Sequence, residues 1–215
     1  LAYYMAAPVY LLGGSTLAAL NFTFSLSILG AGLFVYLLAR QVADPPGALL
    51  AAAVYVYAPY LGYDVFFRGN LAESMAWMWM PLALWAMRRL VTRPGRRWWV
   101  IAPLALAAVI LTHNVFALIF APLLALFGVA VAWGEGGSRR QMVHRLVRVG
   151  GVLLLGLGVA AFFWMPALFE QDHVQIGGLT ASPTLQYTHH LVAWRELFAP
   201  PQQVFTDWIN PSPPR

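Results

Sequence analysis

Cysteine is absent from these 215 residues, which excludes disulfides, Cys-ligated zinc and iron–sulfur clusters. Lysine is absent too, since all 13 basic side chains are arginine. With abundant Ala, Gly and Pro, this points to a high-GC, bacterial genome. Charge of either sign is scarce, at 10% of the chain against about 25% in a soluble domain. The chain also lacks a Walker motif, a Rossmann glycine pattern and a serine-nucleophile elbow, so no soluble enzyme core of those kinds is hidden in it. Residue 1 is Leu, and 1–12 already reads as apolar helix without a basic n-region or a small-residue cleavage site. That is not a signal peptide, and we expect these residues to begin inside a longer chain.

What is present is apolar, with 60% of the residues hydrophobic and gathered in long runs. A spanning helix needs about 20 such residues. Spans are expected near 1–12, 17–39, 47–62, 71–88, 98–112, 115–133 and 149–167. The expected fold is therefore all-α, a polytopic transmembrane helical bundle of about seven spans. Turn chemistry separates them: Gly13-Gly14-Ser15-Thr16, Asp44-Pro45-Pro46-Gly47, and Gly134-Glu135-Gly136-Gly137-Ser138. Residues 1–175 form the transmembrane domain on this reading, and 176–215 an extracytoplasmic tail with a Pro-rich end.

The net charge of +5 would suggest nucleic acid in a soluble protein. Here the arginines sit in short clusters between apolar runs, which is the pattern of topology determinants, and no nucleic-acid partner is expected. Arg40, Arg88, Arg89, Arg93, Arg96, Arg97, Arg139, Arg140, Arg145 and Arg148 fall in one set of connections; Arg68, Arg195 and Arg215 fall in the other. The first set is expected to be cytoplasmic, in a bacterial inner membrane, which leaves 168–215 outside. Asp64, Glu73, Glu170, Asp172, Glu196 and Asp207, with His113, His173, His189 and His190, then lie on the outer side. That excess of acids and histidines points to binding or chemistry there.

Three polar stretches carry the candidates. In Phe67-Arg68-Gly69-Asn70-Leu71-Ala72-Glu73, Asn70 is placed to cap a helix with Glu73 at its third position, a variant of the capping box. In the structural reading these two only cap, and Arg68 pairs with Asp64 or a lipid phosphate. In the functional reading Arg68 grips a phosphate and Glu73 orients a hydroxyl or an ammonium, because ionisable groups at membrane depth are costly to keep. Thr112-His113-Asn114 interrupts an apolar run as the tip of a hairpin, either a polar turn or part of a site. His113 alone lacks the spacing of a zinc motif, and no metal or cofactor is expected. Phe163-Trp164-Met165-Pro166-Ala167-Leu168-Phe169-Glu170 reads as an exit loop with interfacial aromatics, with Glu170 as the third candidate. Gly150, Gly151, Gly156 and Gly158 supply small residues for close helix packing.

The ordered set Tyr57-Ala58-Pro59-Tyr60, Phe67-Arg68-Gly69-Asn70-Leu71-Ala72-Glu73, Pro81-Leu82, Leu111-Thr112-His113-Asn114 and Pro166-Ala167-Leu168-Phe169-Glu170 resembles the bacterial multispanning 6-pyruvoyl-tetrahydropterin synthase-related membrane domains. The resemblance covers most of 1–175. Despite their name, such proteins show no pterin-synthase chemistry and look like relatives of the GT-C glycosyltransferases, which take sugars from polyprenyl-phosphate carriers on the outer face. The resemblance implies a GT-C-like fold and an outward-facing site for a lipid-phosphate sugar. Arg68, Asn70, Glu73, His113, Asn114 and Glu170 would line it. In GT-C enzymes the catalytic carboxylate usually follows the first span; here that loop would precede residue 1, so no catalytic residue carries over. Two other functions fit the sequence: a non-catalytic accessory subunit of a larger membrane complex, and, ranked last for want of an inverted repeat, a transporter. Expected partners are membrane lipids, a polyprenyl-phosphate sugar donor, and subunits of a membrane complex.

Overall fold

The computed structural model describes residues 1–170, which are almost wholly helical. The chain divides into two units, Leu1–Trp164 and Met165–Arg215. Asp172, His173, His189, His190, Arg195 and the Pro-rich end lie outside the described residues.

The helices are α1 (Ala2–Leu11), α2 (Thr16–Ala39), α3 (Pro45–Val56), α4 (Pro59–Tyr63), α5 (Leu71–Thr92), α6 (Trp98–Thr112), α7 (Asn114–Gly134), α8 (Arg139–Val159) and α9 (Ala161–Phe169); a single π-turn, Asp64–Arg68, joins α4 to α5. Their starts follow local chemistry. Ser15 accepts from the Ala18 N–H to cap α2. Asp44 accepts from Gly47, with Pro45 and Pro46 set in the first turn of α3, where a missing N–H costs nothing. Helix α3 stops ahead of Pro59 because the residue before proline is pushed out of the helical region, and Ala58 is extended (ψ 131°).

Helix α5 is the hub and packs against α2, α6, α7 and α8. Pro81 sits within it and has no N–H for the Trp77 carbonyl one turn back. The Tyr55 hydroxyl from α3 donates to that carbonyl instead, at 2.9 Å. Two apolar clusters flank the hub. Met87, Leu90, Leu106, Val109, Leu124 and Val152 fill the one shared with α6–α8. Ala2, Ala31, Leu71, Met75 and Met78 fill the one shared with α1 and α2. Between α2 and α5 the hydroxyls of Ser27 and Ser74 meet at 2.6 Å, fully buried, a polar tie of the kind that joins helices in lipid. Outward, Leu29, Leu118, Leu126 and Leu154 are largely exposed. Such a surface suits hydrocarbon, where helices satisfy their own backbone.

Among the described residues three helices are long and apolar enough to cross a membrane, α2, α7 and α8, and a fourth span results if α3 and the α4–π segment, bent by 42°, count as one. The expectation was about seven. The positions of the helices agree with the expected segments, but α1 and α6 are short, and α5 carries Glu73, Ser74, Arg88 and Arg89. Two stretches differ in kind. Residues 139–148, expected as a charged loop, are the first half of α8, started by a capping box in which Ser138 and Gln141 bond reciprocally. Arginine is a good helix former, so charge did not mean loop. Residues 163–169, expected as the end of the seventh span and its exit loop, belong to α9, with Pro166 inside it. The seventh expected span is thus two helices broken at Ala160, and the Trp164 indole N–H donates to the Leu157 carbonyl that the break leaves open. Of the four glycines, Gly151 lies against Trp99 and Gly156 against Leu106, while Gly150 and Gly158 face open space.

Candidate functional site

The site is assembled where the chain reverses from α4 into α5. Tyr60, Asp64 and Arg68 are four residues apart, so a helical backbone brings them to one side. The intervening turn widens to π, a feature often found at functional positions. Gly69 then takes φ +59°, a left-handed conformation that a Cβ would strain. Its turn aims Asn70 back over the start of α5. There the Asn70 side-chain oxygen accepts from the Glu73 N–H at 3.2 Å, the cap expected from sequence. The reciprocal half is altered. Glu73 accepts from the Asn70 side-chain amide (2.8 Å), while the Asn70 backbone N–H goes to the Asp64 carbonyl.

Arg68 closes the cluster through one nitrogen. Its Nη1 donates to Glu73 Oε2 (2.8 Å), Tyr60 Oη (3.0 Å) and Asp64 Oδ1 (3.1 Å). Tyr60 donates in turn to Glu73 Oε1 at 2.5 Å. Both Glu73 oxygens are therefore occupied, with the side chain 3% exposed, whereas the Arg68 side chain is 39% exposed. Asp64 is fully buried, and its Oδ2 has no partner among the described residues. The two ion pairs of the described residues both involve Arg68. One cation against two carboxylates leaves a formal charge of −1 when all three are ionised.

An aromatic wall runs on from this cluster. Trp77, one turn beyond Glu73, meets Tyr60 at 5.9 Å, Tyr55 at 5.9 Å and Phe116 at 5.4 Å between ring centroids. His113 packs 4.6 Å from Phe116, and its Nδ1 accepts from the Phe116 N–H to cap α7. Asn114 is exposed and accepts from the adjacent Val115 N–H.

Of the six expected residues, the hydrogen-bonded cluster takes in Arg68, Asn70 and Glu73. His113 stands at the far end of the aromatic wall with a capping role of its own. Asn114 is not a hydrogen-bond partner of the cluster. Glu170 lies past α9 in the second unit, where its N–H donates to the Pro166 carbonyl. The sequence reading gave Tyr60 no role and Asp64 only that of an ion-pair partner. The four-residue spacing of Tyr60, Asp64 and Arg68 is the available signal, hidden because the expected span ends at 62 and leaves Asp64 and Arg68 in the connection beyond it. Among the described residues no group of three His, Asp or Glu is arranged to hold a metal ion.

The model of one protein family, the 6-pyruvoyl-tetrahydropterin synthase related domain, described as a membrane protein, matches residues 1–198. No curated protein and no solved structure matches the chain.

Proposed function

The chain belongs to the 6-pyruvoyl-tetrahydropterin synthase related membrane domain family, and on that premise we propose that it is a GT-C-like membrane protein acting on polyprenyl-phosphate-linked sugars at the outer face of a bacterial inner membrane. The observation that carries this reading is the posture of Arg68. Three acceptors hold one nitrogen of its guanidinium, while the side chain remains partly exposed. A guanidinium fixed on one edge keeps Nη2 and Nε free for a bidentate bond to a phosphate, and the two carboxylates orient it for that purpose. No transfer base is assigned.

In this proposal α5 also crosses the bilayer. Its 22 residues reach about 33 Å, and neighbouring helices cover its polar face. With α1, α6 and the bent α3–α4 segment also spanning, the count reaches seven and the arginine-rich connections face the cytoplasm. The test is transfer from a polyprenyl-phosphate sugar by the full-length protein in proteoliposomes. Arg68→Ala is expected to abolish transfer and Glu73→Gln to reduce it. Undiminished transfer by both variants would sink the site.

The full occupation of Glu73 by Tyr60, Arg68 and Asn70 favours a second reading, a non-catalytic subunit in which the cluster only locks α4 to α5. Stoichiometric co-purification with membrane partners, with no carrier lipid bound, would select it.

A further inference from the structure

The opposite end of α5 holds a second polar cluster that the proposed function does not use. Sixteen residues of continuous helix separate Glu73 from Arg89, about 24 Å along the axis. At that end Arg40 from the close of α2, Arg88, Arg89 and Arg93 from the close of α5, and Glu135 following α7 line one cavity of about 250 Å³. Four arginines against one glutamate leave a formal charge of +3 (4 − 1). None of the five forms an ion pair among the described residues. Three donors there, Gln41 Nε2, Arg88 Nε and Arg89 Nε, are buried without a hydrogen-bond partner among the described residues.

Topology alone does not account for this arrangement. Arginines near helix ends orient a membrane protein wherever they point, and several in this chain are visibly employed, Arg40 among them through the Ala43 carbonyl. Arg148 donates to the Val91 carbonyl at the end of α5. Arg145 donates to the Ala132 and Gly136 carbonyls at the end of α7. Those are C-terminal caps. The Arg88 and Arg89 Nε groups have no such acceptor among the described residues, and a buried donor left unmade is costly. Like charges gathered from separate parts of the chain repel one another unless an anion joins them.

We propose that this cavity is an anion site for a phosphate group. A tetrahedral phosphate offers several acceptors at once, and planar guanidinium forks match it bidentately. The volume lies below the roughly 300–1,000 Å³ of sites for drug-sized ligands, which suits a headgroup phosphate or a free phosphate and not a nucleotide sugar. Basic pockets between transmembrane helices bind anionic headgroups on the same grounds.

The test uses the purified full-length chain in two settings, and thermal unfolding is the readout. Inorganic phosphate is titrated in neutral detergent against chloride at equal ionic strength. Phosphatidylglycerol is titrated into phosphatidylcholine nanodiscs. Stabilisation by free phosphate in detergent identifies a site open to soluble phosphate; stabilisation by phosphatidylglycerol with no response to free phosphate identifies a lipid headgroup. Either supports the site. The variant Arg88→Lys/Arg89→Lys keeps the charge that sets topology but loses the fork, and is expected to weaken the response about tenfold or more. Glu135→Gln removes the opposing charge and is expected to tighten it. No stabilisation beyond chloride and phosphatidylcholine overturns the proposal, as does a wild-type response from the double variant. Should that variant not fold, an unchanged affinity in Glu135→Gln overturns it as well.

Discussion

Removing the Glu73 carboxylate measures what the Arg68 cluster contributes to stability. Glu73→Ala takes the acceptor from the Tyr60 hydroxyl, the Asn70 amide and Arg68 Nη1 together, at a position 3% exposed. Breaking a buried ion pair by deleting one partner costs about 3–5 kcal/mol. The 39% exposure of the Arg68 side chain lets water recover part of that, so the low end applies, about 3 kcal/mol. At roughly 2–4 °C per kcal/mol for a chain of this size, that is a fall of about 6–12 °C in melting temperature. Glu73→Gln is different. Its amide oxygen can take the Oε2 position, facing Arg68 and Asn70, and its NH₂ can face Tyr60, whose oxygen accepts. What is lost is the charge on one strong bond, about 1.5 kcal/mol, or roughly 3–6 °C. Thermal unfolding of the purified variants in one detergent gives both numbers. Combining Glu73→Gln with Tyr60→Phe is expected to show a coupling of at least about 0.5 kcal/mol, since the two groups touch. A melting point for Glu73→Ala within about 2 °C of wild type, or glutamine as damaging as alanine, would refute the reasoning.

Gly69→Ala places a Cβ at φ +59° and is expected to destabilise by about 1–2 kcal/mol, seen in the same melt, although no neighbour lies within 4 Å of the added carbon. Gly156→Ala brings a Cβ to 2.8 Å from Leu106 Cδ2 and 3.0 Å from its Cβ, and overpacking of that kind costs about 1–3 kcal/mol. Gly158→Ala, with nothing within 4 Å, serves as the control and is expected to melt at or slightly above wild type. Asn70→Ala loses the α5 cap and one bond to Glu73, about 1–2 kcal/mol; Asn70→Asp keeps the cap but sets a third carboxylate beside Asp64 and Glu73, and is expected to melt lower at pH 8 than at pH 5.

What the sequence made legible follows the range of the interactions involved. Helices α2 and α7 were placed within a few residues because long apolar runs identify themselves. The Asn70 cap was legible because its partner is three residues away. The capping box at Ser138 and Gln141 is equally local, but four arginines nearby give the stretch the look of a charged loop. The Tyr60–Asp64–Arg68 stripe is hidden because the expected span ends at 62, and the spacing has meaning only on a helix that continues past it. The hub position of α5 was not legible, as its polar residues are tolerated only because other helices enclose them. The convergence of Arg40 on Arg88, Arg89 and Arg93 joins residues about fifty positions apart and leaves no local pattern.

Helix α5 remains continuous from Leu71 to Thr92 even though Pro81 lies within it, because Tyr55 makes good the missing hydrogen bond. An unbroken helix fixes direction as well as distance. Each residue turns the chain by about 100° and advances it by about 1.5 Å. Adding or deleting one residue between Met75 and Met87 would therefore swing one polar end about a quarter turn relative to the other. Glu73 and the Arg88–Arg89 pair could not both keep the neighbours they have. The register of this helix ties the two ends of the molecule together.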